Sequence, residues 1–128
     1  MLFIDVFEPN EIELLLKPSI DIVRSSLNSD GKADYYWQDI ERNARQWERK
    51  QLGEALTDLD SVEEQLNRQL STCDELTLVV EGVGLPTLDG FQLYQLSHDR
   101  RFWRPTHLMG GQRGKSLDRL YEAWKWGL

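Results

Sequence analysis

The first apolar run, Leu2-Phe3-Ile4-Asp5-Val6-Phe7, has the pattern of a buried strand with one aspartate inside it. Glu11 to Lys17 predicts a short helix with Asn10 as its N-cap, and Pro18 stops it. Ile20 to Val23 alternates as a second strand, and Ser25 to Lys32 has turn chemistry centred on Asp30-Gly31. Ala33 to Gln38 is aromatic-rich and predicts a third strand, followed by a polar connection from Asp39 to Arg45. Gln46 to Gln51 fits either the start of a helix or a strand with Trp47 and Arg49 on one face and Glu48 and Lys50 on the other. Leu52, Ala55, Leu56, Leu59, Val62, Leu66 and Leu70 recur at threes and fours, as one amphipathic helix or two joined near Asp58 to Ser61. Leu76 to Val80 is the cleanest strand, Gly82 to Gly90 reads as a loop, and Phe91 to Leu96 alternates weakly as another strand. Leu117, Leu120, Tyr121, Trp124 and Leu128 share one side of a C-terminal helix. This order predicts an α/β architecture, a mixed sheet flanked by helices.

Composition narrows the class. A chain of 128 residues, 40% hydrophobic and 29% charged, has the profile of a single soluble globular domain. Its apolar runs are too short to span a membrane, and it lacks the pattern of a secretory leader, so an intracellular, non-secreted protein is expected. A single cysteine, Cys73, allows no internal disulfide, and with two histidines it excludes a structural zinc site made by this chain alone.

The net charge of −7 argues against binding nucleic acid through bulk charge. The distribution is uneven, however. From His98 to Arg119, Arg100, Arg101, Arg104, Arg113, Lys115 and Arg119 outweigh Asp99 and Asp118, a balance of +4 against −11 elsewhere. Such a segment can hold a polyanion locally, particularly when a metal neutralises carboxylates nearby. Gly110 to Lys115 has the glycines and cations of a phosphate loop without its spacing or preceding strand, which excludes an NTPase reading. His98 and His107 stand alone and carry no general-base assignment. Trp124 and Trp126, two residues apart, cannot share one helix stripe, so one of them is available to a partner.

The chemistry-bearing stretch is Ala33-Asp34 followed by Glu48-Arg49-Lys50. On two strands of a hairpin, Glu48 and Lys50 share a face, and Asp34 can come opposite them. Two carboxylates at that spacing repel, and a divalent cation between them relieves the repulsion. A lysine beside the metal adds positive charge next to a phosphate. On a solvated helix the same tripeptide would be ordinary surface.

More of the chain carries the same pattern. Asp5-Val6-Phe7-Glu8 is an Asp-x-x-Glu at the end of the first strand, Glu54 follows the tripeptide, Glu64-Gln65-Leu66-Asn67-Arg68 is a Glu-Gln-x-x-Arg, and Leu78-Val79-Val80-Glu81-Gly82 is an apolar strand ending in Glu-Gly. In order and spacing, residues 5–82 resemble the XPF/Mus-type structure-specific endonucleases of the PD-(D/E)xK superfamily, which have a restriction-endonuclease-like fold. Ala33 stands where that family has glycine, and Glu54 where it has aspartate. The tandem helix-hairpin-helix module of that family is not expected within these 128 residues.

The resemblance implies a Mg²⁺- or Mn²⁺-dependent DNA endonuclease of repair or recombination, acting on branched, flap or junction DNA, with 1–82 bearing the motifs and 98–128 the basic segment and final helix. It implies Asp34 and Glu48 as metal ligands with Asp5, Lys50 as the catalytic cation, Arg49 and Glu8 within the site, and Glu54, Gln65 and Arg68 in support. Arg100, Arg101, Arg104, Arg113 and Lys115 are the expected DNA contacts, and the chain is expected to pair as a homodimer or heterodimer. Two other readings stay open: a non-catalytic DNA-binding or scaffold subunit on the same fold, and a junction resolvase or mobile-element endonuclease.

Overall fold

A computed structural model of the protein describes residues 1–87, 90–97 and 99–106. The chain divides into two compact units, residues 1–49 with 64–79 and residues 50–63 with 80–128. The division falls within the strand Ala44–Gln51, the helix Leu59–Leu70 and the strand Glu75–Glu81. Among the described residues no helix is long and apolar enough to cross a membrane.

The first unit begins with β1 (Leu2–Asp5), α1 (Asn10–Leu16) and β2 (Ile22–Ser25), and β1 and β2 pair in parallel. A 3₁₀ turn at Asn28–Asp30 ends at Gly31, whose φ of 77° is the left-handed geometry the Asp30-Gly31 turn predicts. β3 (Tyr35–Gln38) then pairs antiparallel with both β1 and β4 (Ala44–Gln51). With β5 (Glu75–Glu81) the mixed sheet has the order β2-β1-β3-β4-β5. The ambiguous stretch Gln46 to Gln51 is thus a strand, because its partner β3 supplies the ladder that a helix would forgo.

Leu2, Ile4 and Tyr35 form the core on one face of this sheet, and Ile12 and Leu16 of α1 pack against it with Ile22 and Trp37. Ile12 and Leu16 lie one helical turn apart, which is why a seven-residue helix suffices to cover it. Arg24 fastens the β1–α1 connection. Its guanidinium donates to the carbonyls of Asp5, Glu8 and Pro9, to Asn10 Oδ1, and to the Glu13 carboxylate at 2.9 Å.

Several boundaries differ from expectation for local reasons. β1 stops at Asp5 because its carboxylate accepts the Phe7 N–H and its carbonyl the Glu8 N–H, which turns the chain and leaves Phe7 87% exposed. Asn10 is the first helical residue, with Pro9 at the cap position and no side-chain cap. The leucine pattern from Leu52 to Leu70 is two helices, α2 (Leu52–Thr57) and α3 (Leu59–Leu70). Asp58 separates them, accepting the Ser61 N–H on its side chain.

In the second unit, Gly82 to Gly90 is not simply a loop. Val83–Thr87 is β6, antiparallel to β7 (Gly90–Leu96), which pairs in turn with β8 (Trp103–Thr106). Pro86 and Pro105 are tolerated because β6 and β8 are the edges of this three-stranded sheet. The same prolines and glycines are what make these segments resemble loops in sequence. The expected helix from Leu117 to Leu128, with Trp124 and Trp126, lies outside the described residues.

Gly82 joins β5 to β6 at φ 138°, and a Cβ there would lie 2.8 Å from Leu52 Cβ and 3.3 Å from the Tyr94 carbonyl oxygen. Gly31 has open space around it. Gly82→Ala is therefore expected to destabilise by roughly 2–3 kcal/mol and Gly31→Ala by about 1 kcal/mol. Urea denaturation of both variants checks the order; equal losses would remove crowding as the reason for Gly82.

Candidate functional site

The sheet of the first unit carries carboxylates level with one another on adjacent strands. Ile4 pairs with Tyr35, and Tyr35 with Trp47. Carrying both registers one residue further sets Asp5 beside Asp34 and Asp34 beside Glu48. The backbone follows that register, with the Asp5 N–H donating to the Asp34 carbonyl at 2.8 Å. All three are buried: Asp5 is 1% exposed, Asp34 6% and Glu48 2%. Burying a carboxylate is expensive unless donors or a counter-charge compensate it.

Backbone N–H groups and side-chain amides donate to all three. Asp5 accepts the backbone N–H groups of Phe7 (3.1 Å) and Asn28 (2.9 Å) on its two oxygens. Asp34 accepts the Asn28 side-chain amide at 3.2 Å and the Arg49 backbone N–H at 2.8 Å. Glu48 accepts one amide on each oxygen, from Gln65 at 2.9 Å and from Gln69 at 2.8 Å, both on α3. These glutamines are one helical turn apart, so they meet the strand from the same helix face.

Gln46, fully buried on the same side of β4, anchors this arrangement. Its Oε1 accepts the Ala33 N–H at 2.8 Å, and its amide donates to the Thr72 hydroxyl (2.9 Å) and carbonyl (3.2 Å). The Thr72 hydroxyl in turn donates to the Gln69 carbonyl. The residue before Asp34 and the end of α3 are thereby tied to one strand.

Asp34 is pushed up from 3.8 to about 7, first by burial and then by the neighbouring Glu48 and Glu8 charges, against the opposing bonds from Arg49 and Asn28. Two adjacent buried acids that resist joint ionisation suit a divalent cation, which favours both anionic forms. Among the described residues no group of three or more His, Cys, Asp or Glu side chains forms a ligand cage. The donor set fits Mg²⁺ or Mn²⁺ nonetheless, since such ions use one or two carboxylates and complete their shell with water and phosphate oxygens. Asp34 and Glu48 offer those hard oxygens. Asp5 accepts a backbone N–H on each oxygen, as Asp34 and Glu48 accept a donor on each of theirs, and stands beside Asp34 in the register.

Other expected site residues are distributed differently. Glu8 Oε2 accepts from Arg49 Nε at 2.8 Å and from the Tyr35 hydroxyl at 3.0 Å. Burial, followed by the Glu8 charge, raises the Tyr35 phenol above its ordinary range. Gln65 reaches Glu48, whereas Arg68 is exposed on α3. Lys50, the next β4 residue of Glu48's parity, lies in the second unit with its ammonium 3.6 Å from the Glu54 carboxylate.

Of the basic segment, Arg100 pairs with Glu81 at 3.0 Å, Arg101 is exposed with its guanidinium 3.9 Å from the Asp99 carboxylate, and Arg104 lies over the Phe102 ring. Arg113 and Lys115 lie outside the described residues.

Sequence reasoning missed Asn28, Gln46 and Gln69. Asn28 lies in a stretch that reads only as a turn. The i, i+4 pair Gln65 and Gln69 flanking Leu66 was a usable signal, since polar residues in that position face the sheet with the leucine stripe. No family model, curated protein or solved structure matches the chain.

The raised Asp34 carboxyl has a consequence for stability. The native protein holds its proton up to about pH 7, whereas the unfolded chain releases it near 3.8. Between those values the native state binds more protons, so the Asp34 contribution to stability falls as pH rises and levels off above the native pKa. Asp34→Asn is expected to flatten this decline. Denaturation midpoints in EDTA from about pH 4 to about pH 8 measure it; an unchanged slope would assign the decline to other groups.

Proposed function

We propose that the chain is a divalent-metal-dependent DNA endonuclease that hydrolyses phosphodiester bonds. The observation that carries the reading is the side-by-side burial of Asp34 and Glu48, with the Asp34 carboxyl raised by burial and by the Glu48 charge. This is the electrostatic situation that a bound Mg²⁺ or Mn²⁺ resolves, and the order of motifs from Asp5 to Gly82 supports the same reading. The resemblance extends the proposal to branched, flap or junction DNA, to a dimer with a like or related chain, and to repair or recombination inside the cell.

In this reading Asp34 and Glu48 hold the cation. When bound, the metal activates water as a nucleophile and screens the charge of the phosphate under attack. Gln65 and Gln69 keep the Glu48 carboxylate oriented toward that task. The backbone N–H of Arg49 fixes one Asp34 oxygen, and Asn28 the other. Lys50 is the proposed cation for charge developing on the phosphoryl group. The Arg49–Glu8 ion pair, braced by Tyr35, serves as a support holding β4 against the β1–α1 turn.

Glu48→Ala is expected to lower Mn²⁺-supported cleavage of branched and linear DNA by roughly a thousandfold or more, the scale of losing metal activation. Its circular dichroism spectrum should match the parent. Full cleavage by this variant would place the chemistry elsewhere and favour a scaffold or DNA-binding role for the Asp34–Glu48 pair.

The arginines separate phosphate contact from structure. Arg101→Ala with Arg104→Ala is expected to weaken DNA binding and to reduce the log–log salt slope by about two units, near one per phosphate contact. Arg100→Ala is expected instead to lower stability, because it takes the guanidinium from the largely buried Glu81. Fluorescence anisotropy across a salt series, with urea denaturation alongside, reads both. An unchanged slope in the double variant would assign Arg101 and Arg104 to solvent or to a protein partner.

A further inference from the structure

We propose that the open face of the small sheet in the second unit binds single-stranded DNA, with Trp103 and Tyr94 as stacking surfaces for unpaired bases and Arg101 and Arg104 as phosphate contacts beside them. The inference rests on the reading of the chain as a DNA-binding enzyme, not on the metal site. It names the unpaired strand as the part of a branched substrate that this unit takes.

The register sorts the side chains of this sheet. Val83 pairs with Tyr94 and Tyr94 with Pro105, while Leu96 pairs with Trp103 and Leu85 with Gln92. Cross-strand partners point to the same side, so Val83, Leu85, Tyr94, Leu96, Trp103 and Pro105 share one face. Leu93, of the opposite parity on β7, is 2% exposed, and a Cβ at Gly53 of α2 would lie 3.7 Å from its side chain. The Leu93 face is thus the one turned to α2. On the other face Val83 and Leu85 are exposed, and Trp103 is 49% exposed.

The chemistry of this face selects what it can meet. Its edge strands each contain a proline, Pro86 in β6 and Pro105 in β8, which makes them poor templates for an added strand and leaves contact to the side chains. Among the described residues of the face none is acidic, although the chain holds 22 acids against 15 cations. Cations sit alongside. Arg101, two residues ahead of Trp103, has a side chain 81% exposed, and exposed Arg104 holds its guanidinium over the Phe102 ring at 5.5 Å. Exposed rings interleaved with arginines suit a single strand, whose bases offer stacking faces and whose backbone offers phosphates; a duplex keeps its base faces covered.

The turn that presents these residues is fixed in advance. Buried Ser97 donates its hydroxyl to Asp99 at 2.6 Å and accepts the N–H groups of Arg101 (3.1 Å) and Phe102 (3.2 Å), and its own N–H donates to the Phe102 carbonyl at 2.8 Å. Such a turn needs little ordering when a ligand arrives.

The test compares Trp103→Leu and Trp103→Phe in the full chain, by fluorescence anisotropy in EDTA with a labelled thymidine oligonucleotide of about 12 nucleotides and the duplex made from it. Trp103→Leu is expected to lower single-strand affinity roughly 10- to 100-fold, the scale of one lost stacking contact, with the salt slope and the duplex affinity unchanged because no phosphate contact is removed. Trp103→Phe keeps a ring and should retain most of the affinity, and both urea midpoints should match the parent. Where Trp103→Leu does not fold, Tyr94→Leu gives the same readouts. Unchanged single-strand affinity in the leucine variant, an equal loss on the duplex, or a dimer that the variant dissolves would overturn the inference, the last by assigning the face to a second copy of the chain. Absence of single-strand binding by the unaltered protein while Mn²⁺-supported cleavage persists would overturn this inference alone; absence of both would overturn the DNA reading with it.

Discussion

Much of the first unit is organised around keeping acids buried within a sheet. Asp5, Asp34 and Glu48 sit level on β1, β3 and β4, each nearly sealed from water. Such positions ordinarily belong to apolar side chains, and their opposite face shows the ordinary case in Ile4 and Tyr35 under α1. The acids persist because the surrounding backbone turns and amides point donors at them. The 3₁₀ turn after β2 gives Asn28 to both Asp5 and Asp34, while α3 gives two glutamines to Glu48.

Burial, and after it the Glu48 and Glu8 charges, holds the Asp34 carboxyl at about 7, well above the usual carboxylate range, against the opposing bonds from Arg49 and Asn28. The chain places an arginine nearby: the Arg49 guanidinium pairs with Glu8, and its backbone N–H is bonded to Asp34.

The second unit follows different rules. Its small sheet has edge strands that accept proline, and its sharp approach at Gly82 excludes a side chain. Its described arginines divide between structure and surface. Arg100 stabilises Glu81, while Arg101 and Arg104 remain at the surface, so the net charge of the segment overstates what a phosphate backbone would meet.

The sequence by itself determined the element types wherever periodicity was strong. The strand around Ile4, the helices over Leu52 to Leu70 and the strand from Leu76 follow from apolar spacing, because burial of one face acts on every residue of an element at once. It also singled out Asp5, as an acid inside an apolar run, and Asp34 and Glu48, through the spacing of Asp34 to Glu48-Arg49-Lys50. Only tertiary structure decided that Gln46 to Gln51 is a strand, that β6 and β8 are strands despite their prolines, and which donors surround each acid. Those outcomes depend on partners distant in sequence: β3 across a hairpin, β7 between two edges, and α3 meeting β4 through Gln65 and Gln69. A ladder or a buried hydrogen bond is a property of two segments together, and no local pattern in either one records it.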